Sequence, residues 1–251
     1  MPATGKQKAR RRSSKQSNGI LIISIVLVAV AFTALLIYAI SQSNTQTASA
    51  APGQYSDIPQ TTTSDGAPIL GNSSTNVMLM EVADFSCPHC LEYHPTILAI
   101  IDQYVRTGRV RLEYRPVTFV GGQFSDAAAQ AALCAGKQNR FWEMEDALFN
   151  MQQTQGYQSF VAANLINTAQ HLNLDGTAFA RCLNTGETEK TIATTSDITS
   201  KLGVNGTPSL LYSTDGGQNF QFWPDPNTSD NKMRGGVTID VIDNTIKSLG
   251  K

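Results

Sequence analysis

The chain has 251 residues, is 41% hydrophobic and carries a net charge of −1; that length suits one domain of about 150–200 residues with appendages. Six of its nineteen basic residues, Lys6, Lys8, Arg10, Arg11, Arg12 and Lys15, lie within 1–18, where there is no acid, so the rest holds thirteen basic and twenty acidic residues. The apolar content is that of a globular protein, and an acidic body argues against nucleic acid as a partner.

Residues 1–19 read as a basic tail. Residues 20–40, ILIISIVLVAVAFTALLIYAI, are uncharged and long enough to span a bilayer's hydrocarbon core as a transmembrane helix. The basic cluster ahead of them predicts a cytoplasmic N-terminus and a signal-anchor orientation, with all that follows on the other side of the membrane. A cleaved signal peptide is the competing reading, since Ala48-Ser49-Ala50 has the A-x-A pattern, but apolar cores of such peptides run about 7–15 residues. Both readings place residues from about 51 onward outside the cytoplasm. Residues 41–66, rich in Ser, Thr, Gln, Gly and Pro, read as a flexible linker, and 67–251 as the folded domain. Pro68-Ile69-Leu70 is a candidate edge strand at its start.

Val77 to Phe85 is an apolar run interrupted by Glu81 and Asp84, as expected of a strand buried on both faces. It leads into Cys87-Pro88-His89-Cys90. Proline is preorganised for the first helical position, which puts Cys87 at the N-cap. Free N–H groups and the positive end of the helix dipole then face its sulfur and favour the thiolate, the nucleophile of disulfide exchange. Pro88 has no N–H to give, and the His89 ring is the expected substitute, as donor or as imidazolium. A stabilised thiolate makes the corresponding disulfide a better oxidant. A lone CxxC also fits a purely structural bridge or half of a zinc site, but zinc normally takes four ligands and His94 is the one further candidate nearby; no metal is expected. His94 and His171 read as ordinary surface or packing residues.

A helix is predicted from the CxxC to about Thr107, with Pro95 kinking it and Gly108 ending it. Arg109 to Val117 alternates Val110, Leu112 and Tyr114 and predicts a second strand, parallel to the first in a βαβ unit. Residues 123–202 form a helical block, with helices expected over 127–135, 140–151, 160–170, 177–183 and 188–202. Ser209–Tyr212 and Phe220–Trp223 are strands joined by an Asp215-Gly216-Gly217 turn, and 238–249 closes the chain as a helix.

This order is α/β and resembles a thioredoxin fold with an inserted helical subdomain. Glu81, six residues before Cys87, stands where thioredoxins carry a buried acid. Pro95 stands at their kinking proline, and Gly203-Val204-Asn205-Gly206-Thr207-Pro208 resembles the loop ending in their cis-proline. The Cys87-Pro88-His89-Cys90 motif, the insertion, and the phrases Leu133-Cys134-Ala135, Phe141-Trp142, Leu148-Phe149 and Phe179…Cys182-Leu183 resemble the membrane-anchored bacterial DsbA-like thiol-disulfide oxidoreductases over about residues 65–250. The resemblance implies a disulfide oxidoreductase acting through Cys87 and Cys90 with no bound cofactor. Glu81, with apolar neighbours, would be buried with a raised pKa and would take the proton of Cys90. The backbone of Thr207 beside a cis Pro208 would pair with an extended client segment. The implied partners are reduced client proteins and a quinone-linked membrane re-oxidant of the DsbB or vitamin-K-epoxide-reductase-like type. Cys134 and Cys182, an even pair left over in an oxidising compartment, are expected to form a structural disulfide; two buried thiols or a second redox pair are the alternatives. An isomerase or reductase kept reduced by a membrane donor is the rival activity. A redox-inactive binding or chaperone domain is the rival of another class.

Overall fold

The computed structural model describes Leu27 and residues 51–249. The basic tail, the apolar run 20–40 (Leu27 aside) and residues 41–50 lie outside the described residues. Among the described residues no helix is long and apolar enough to cross a membrane.

Gln60–Thr62 (β1), Pro68–Leu70 (β2), Met78–Ala83 (β3), Arg111–Pro116 (β4), Ser209–Ser213 (β5) and Gln221–Phe222 (β6) form a sheet in the order β1-β2-β4-β3-β5-β6. All six residues of β3 are buried, which is why its sequence shows a run and not an alternation. β3 pairs parallel with β4, Glu81 opposite Tyr114, and antiparallel with β5, Glu81 opposite Leu210. The C-terminal ends of β3 and β4 therefore open onto the same end of the sheet.

The chain leaves β3 into the helix Pro88–Ile100 (α1), with Cys87 as N-cap and Pro88 in its first turn. Pro95 lies inside α1, and a π-helical turn, Ile101–Val105, carries the helix on toward Gly108. The insertion comprises Gln123–Gly136 (α2), Phe141–Gln155 (α3), Ala162–His171 (α4), Gly176–Thr185 (α5) and Glu189–Lys201 (α6); Ile239–Leu249 (α7) follows the sheet. Asp175 caps α5 by accepting from the Thr177 and Ala178 N–H groups at 2.9 and 3.0 Å, and Gly186 ends it in the left-handed conformation, the usual device at each end. The insertion joins the sheet through aromatic packing: Tyr114 of β4 lies 5.1 Å from Phe141 of α3, and Phe85 lies 5.3 Å from Phe149.

Two expectations need correction. Pro68–Leu70 is a strand but not an edge, because β1 pairs outside it. The linker assigned to 41–66 is ordered from residue 51 on. Tyr55 and Ile58 are buried, and the Tyr55 hydroxyl donates to Asp146 of α3 at 2.7 Å. The polar composition of 51–66 hid two anchors, which bury enough apolar surface to fix the segment.

Candidate active site

Cys87 sits where the buried strand gives way to α1. Its N–H donates to the Asp84 carbonyl at 2.9 Å, and its sulfur lies 3.5 Å from the Thr207 carbonyl oxygen. Both Cys87 and Cys90 are free thiols. Their proton affinities diverge. The Cys90 thiol is the main support of the Cys87 thiolate; burial opposes it, and the Thr207 side chain and the backbone N–H groups of Cys90 and His89 add to it, bringing the Cys87 pKa to about 5. Cys90 is fully buried, and that burial, with the Cys87 sulfur beside it, pushes its own pKa far up. One sulfur is an anion at neutral pH and the other a protonated thiol.

The His89 ring does not play the part expected of it. Its side chain is 76% exposed and its Nδ1 faces Glu92 at 3.1 Å; that hydrogen bond, ahead of the charge of Cys87, raises its pKa. The support Cys87 draws from residue 89 is a backbone N–H, which the next turn of helix supplies in place of the one Pro88 lacks.

Opposite Cys87, the Thr207–Pro208 peptide bond is cis. It forms one wall of a groove of about 440 Å³ whose other walls are His89 and Tyr93 of α1 and Gly235–Gly236. The Tyr93 hydroxyl donates to the Val237 carbonyl at 2.7 Å and accepts from the Val237 N–H at 3.1 Å, which fastens that wall to α1. A Cβ on Gly236 would come within 2.5 Å of the Tyr93 ring.

Glu81 lies on β3, fully buried, with no hydrogen-bond partner for either oxygen. Burial raises its pKa well above the carboxylate range, the charge of Glu145 adds to this, and His94 opposes it. Cys134 and Cys182, in α2 and α5, are joined by a disulfide with S–S 2.00 Å and Cα–Cα 5.9 Å.

Two features escaped sequence reasoning. Asp84, at the end of β3, accepts from the Ser86 N–H and the Ser125 hydroxyl on one oxygen, at 2.8 and 2.6 Å, and from the Val120 N–H on the other, at 2.8 Å. It ties the loop after β4 to the CxxC turn and holds Phe119 and Val120, 61% and 44% exposed, at the active end of the sheet. An acid closing an apolar strand just before a CxxC was the available signal. The second is His94, which is buried between Glu145 and Asp146, not an ordinary surface or packing residue. Its Nδ1 lies 3.4 Å from Glu145 and its Nε2 3.1 Å from Asp146. Three acids within the otherwise apolar stretch Phe141–Phe149 were its signal. The ligand atoms of the three residues lie within 4.8 Å of one another, near enough for a metal ion. Both ring nitrogens already face carboxylates, however, which is the setting of an imidazolium and not of a ring with a lone pair to give.

A family model described as thioredoxin matches residues 63–216. A Rickettsia typhi protein named as a protein-disulfide oxidoreductase is 29% identical over 145 residues, 57% of this chain and 53% of that one. A Bacillus anthracis protein named as disulfide bond formation protein D is 29% identical over 146 residues, 56% of this chain and 67% of that one. The match thus spans about half the length of the Rickettsia relative. The crystal structure of Wolbachia pipientis α-DsbA1 superposes with a TM-score of 0.61 at 23% identity, covering 75% of this chain and 92% of that one. With its thioredoxin sheet, helical insertion, CxxC at a helix N-terminus and cis-proline opposite, the chain belongs to the thioredoxin family, among its DsbA-like members.

Proposed function

We propose that the protein is a membrane-anchored, extracytoplasmic oxidase that donates a disulfide to reduced client proteins. The observation that carries this reading is the split between the two active-site sulfurs, with Cys87 held as a thiolate at a pKa of about 5 and Cys90 held as a buried thiol. Stabilising Cys87 as an anion stabilises the reduced pair, and so makes the disulfide form ready to accept electrons.

In the oxidised protein a client thiolate attacks the Cys87 sulfur. The Cys87–Cys90 bond breaks, its electron pair goes to Cys90, and Cys90 takes a proton from the neutral Glu81. A second client thiolate attacks the client sulfur of the mixed disulfide, and Cys87 leaves as the thiolate its site stabilises. The client has lost two electrons and the pair has gained them. The client segment lies in the groove against the Thr207 backbone, added like a strand. A separate quinone-linked membrane protein takes the electrons away.

The uncharged run 20–40 after a basic tail supports anchoring, and the Cys134–Cys182 bond supports an oxidising compartment. The decisive measurement is the reduction potential of the purified full-length protein in glutathione buffers. A value less negative than about −180 mV is expected of an oxidase; a value near thioredoxin's, about −270 mV, would overturn that direction in favour of a reductase. Unimpaired function of a Cys87→Ser variant in cells would instead assign a redox-inactive binding role.

A further inference from the structure

We infer that His94, fixed between Glu145 and Asp146, is a positioning residue for Glu81, and that this buried cluster governs how readily Glu81 exchanges a proton with Cys90. The inference rests on the Cys87/Cys90 reading above.

The groups around Glu81 come from three elements. α1 presents His94 and Tyr93, α3 presents Glu145, and β4 presents Tyr114 directly across the sheet. β5 offers the apolar Leu210. Cys90, Glu81 and Glu145 all act on the Tyr114 hydroxyl, which is itself buried and without a hydrogen-bond partner. His94 is thus the cation in this set, with Phe149 packed on its ring at 4.6 Å. Burial works against the imidazolium, but Glu145 first and Asp146 with it outweigh burial and hold the ring's pKa up at about 10. Glu145 is fully buried, and neither of its oxygens has a conventional hydrogen-bond partner. Its charge depends on His94, and its neighbour Glu81 feels both. An ion pair this deeply buried adds little to stability, which leaves its electrical effect on Glu81 as the distinctive consequence.

The cluster also has an outlet. Asp146 accepts from the Tyr55 hydroxyl at 2.7 Å, and Tyr55 accepts from the Gln54 side-chain amide at 3.3 Å, with Gln54 half-buried. The step served is ring closure: Cys90 loses its proton to the Glu81 carboxylate and attacks the Cys87 sulfur of a mixed disulfide. The Cys87–thiol bond breaks, and the departing thiolate takes a proton from water.

The test loads the full-length protein with glutathione at Cys87 and follows glutathione release against pH. His94→Gln removes the cation, so Glu81 holds its proton harder and the midpoint moves up by about one pH unit. Glu145→Gln removes the nearest anion, and the midpoint moves down. The opposite signs separate an electrical role from a structural one, which would slow both variants at an unchanged midpoint. On a Glu81→Gln background neither substitution should shift anything. Equal or same-sided shifts, a shift that survives in Glu81→Gln, or one equivalent of bound metal in the purified protein would each overturn the inference. Should neither single variant fold, the carboxyl band lost on Glu81→Gln must appear in wild-type protein as the protonated form at pH 7; an ionised band overturns it. A wild-type protein that never closes the ring refutes the underlying redox reading instead.

Discussion

The two cysteine pairs stand at opposite ends of their helices. Cys87 caps the start of α1, where unpaired N–H groups and the positive end of the dipole face the sulfur. Cys134 lies in the last turn of α2 and Cys182 near the end of α5, where free carbonyls and the negative end of the dipole disfavour a thiolate. The first pair is three residues apart and unbonded; the second is bonded across 48 residues. A bond opens more readily when one of its sulfurs can leave as an anion. The same chemistry therefore yields an exchanging pair where the helix begins and an inert staple where helices end.

The sharpest way to break this comparison is to remove each pair. Cys87→Ser is expected to abolish oxidation of a reduced test peptide, while Cys134→Ala/Cys182→Ala, once folded, oxidises it at near wild-type rate. If the double variant captures peptide as a mixed disulfide but cannot release it oxidised, the second pair belongs to the electron path and the contrast collapses. The same double variant should lose up to about 4 kcal/mol in urea unfolding, the chain-entropy ceiling for a loop of that length. A loss near zero would mean the staple does not constrain the unfolded chain.

Two smaller effects sharpen it. Reduced wild-type protein should show a thiolate absorbance step near pH 5, and Cys90→Ala should move it upward, because the thiol of Cys90 is the foremost support of the anion. The native pKa lies below the ordinary thiol value of about 8.5, so this stabilisation of the reduced fold is complete above that range and is lost as pH falls through about 5. Reduced protein whose Cys87-dependent stability is flat between those limits would contradict the assignment. Smallest is His89→Ala. The variant keeps the backbone N–H and loses an exposed ring already paired with Glu92, so its step should shift less than that of Cys90→Ala. A larger shift would restore the ring to the role first expected of it.

Much of this was legible because it is local. The apolar run into Cys87, Pro88 at the helix start and the helical spacings of 123–202 are carried by neighbouring residues, and the strands and helices fall within a few positions of expectation. What stayed hidden depends on distant partners. His94 and Glu145 are 51 positions apart, and Tyr55 reaches Asp146 across 91; no periodicity reports such meetings. Residues 51–66 read as linker because polar composition masks two buried anchors. The His89 ring was misjudged for another reason: sequence shows which donors exist but not where a rotamer points them, and Glu92, one turn on, claims this one.

The wall of the groove formed by Gly235 and Gly236 carries a consequence for discrimination. One side offers a threonine carbonyl and a proline, the other two residues without side chains, with the gap set by the double hydrogen bond of Tyr93 to Val237. Telling one partner from another requires contacts that reward the first or clashes that reject the second. Glycines supply neither, and main-chain pairing is common to every peptide. A groove of this kind sorts by whether a cysteine sits in an extended, accessible stretch and hardly at all by its neighbours. The folding state of the client, more than its sequence, would decide what is oxidised.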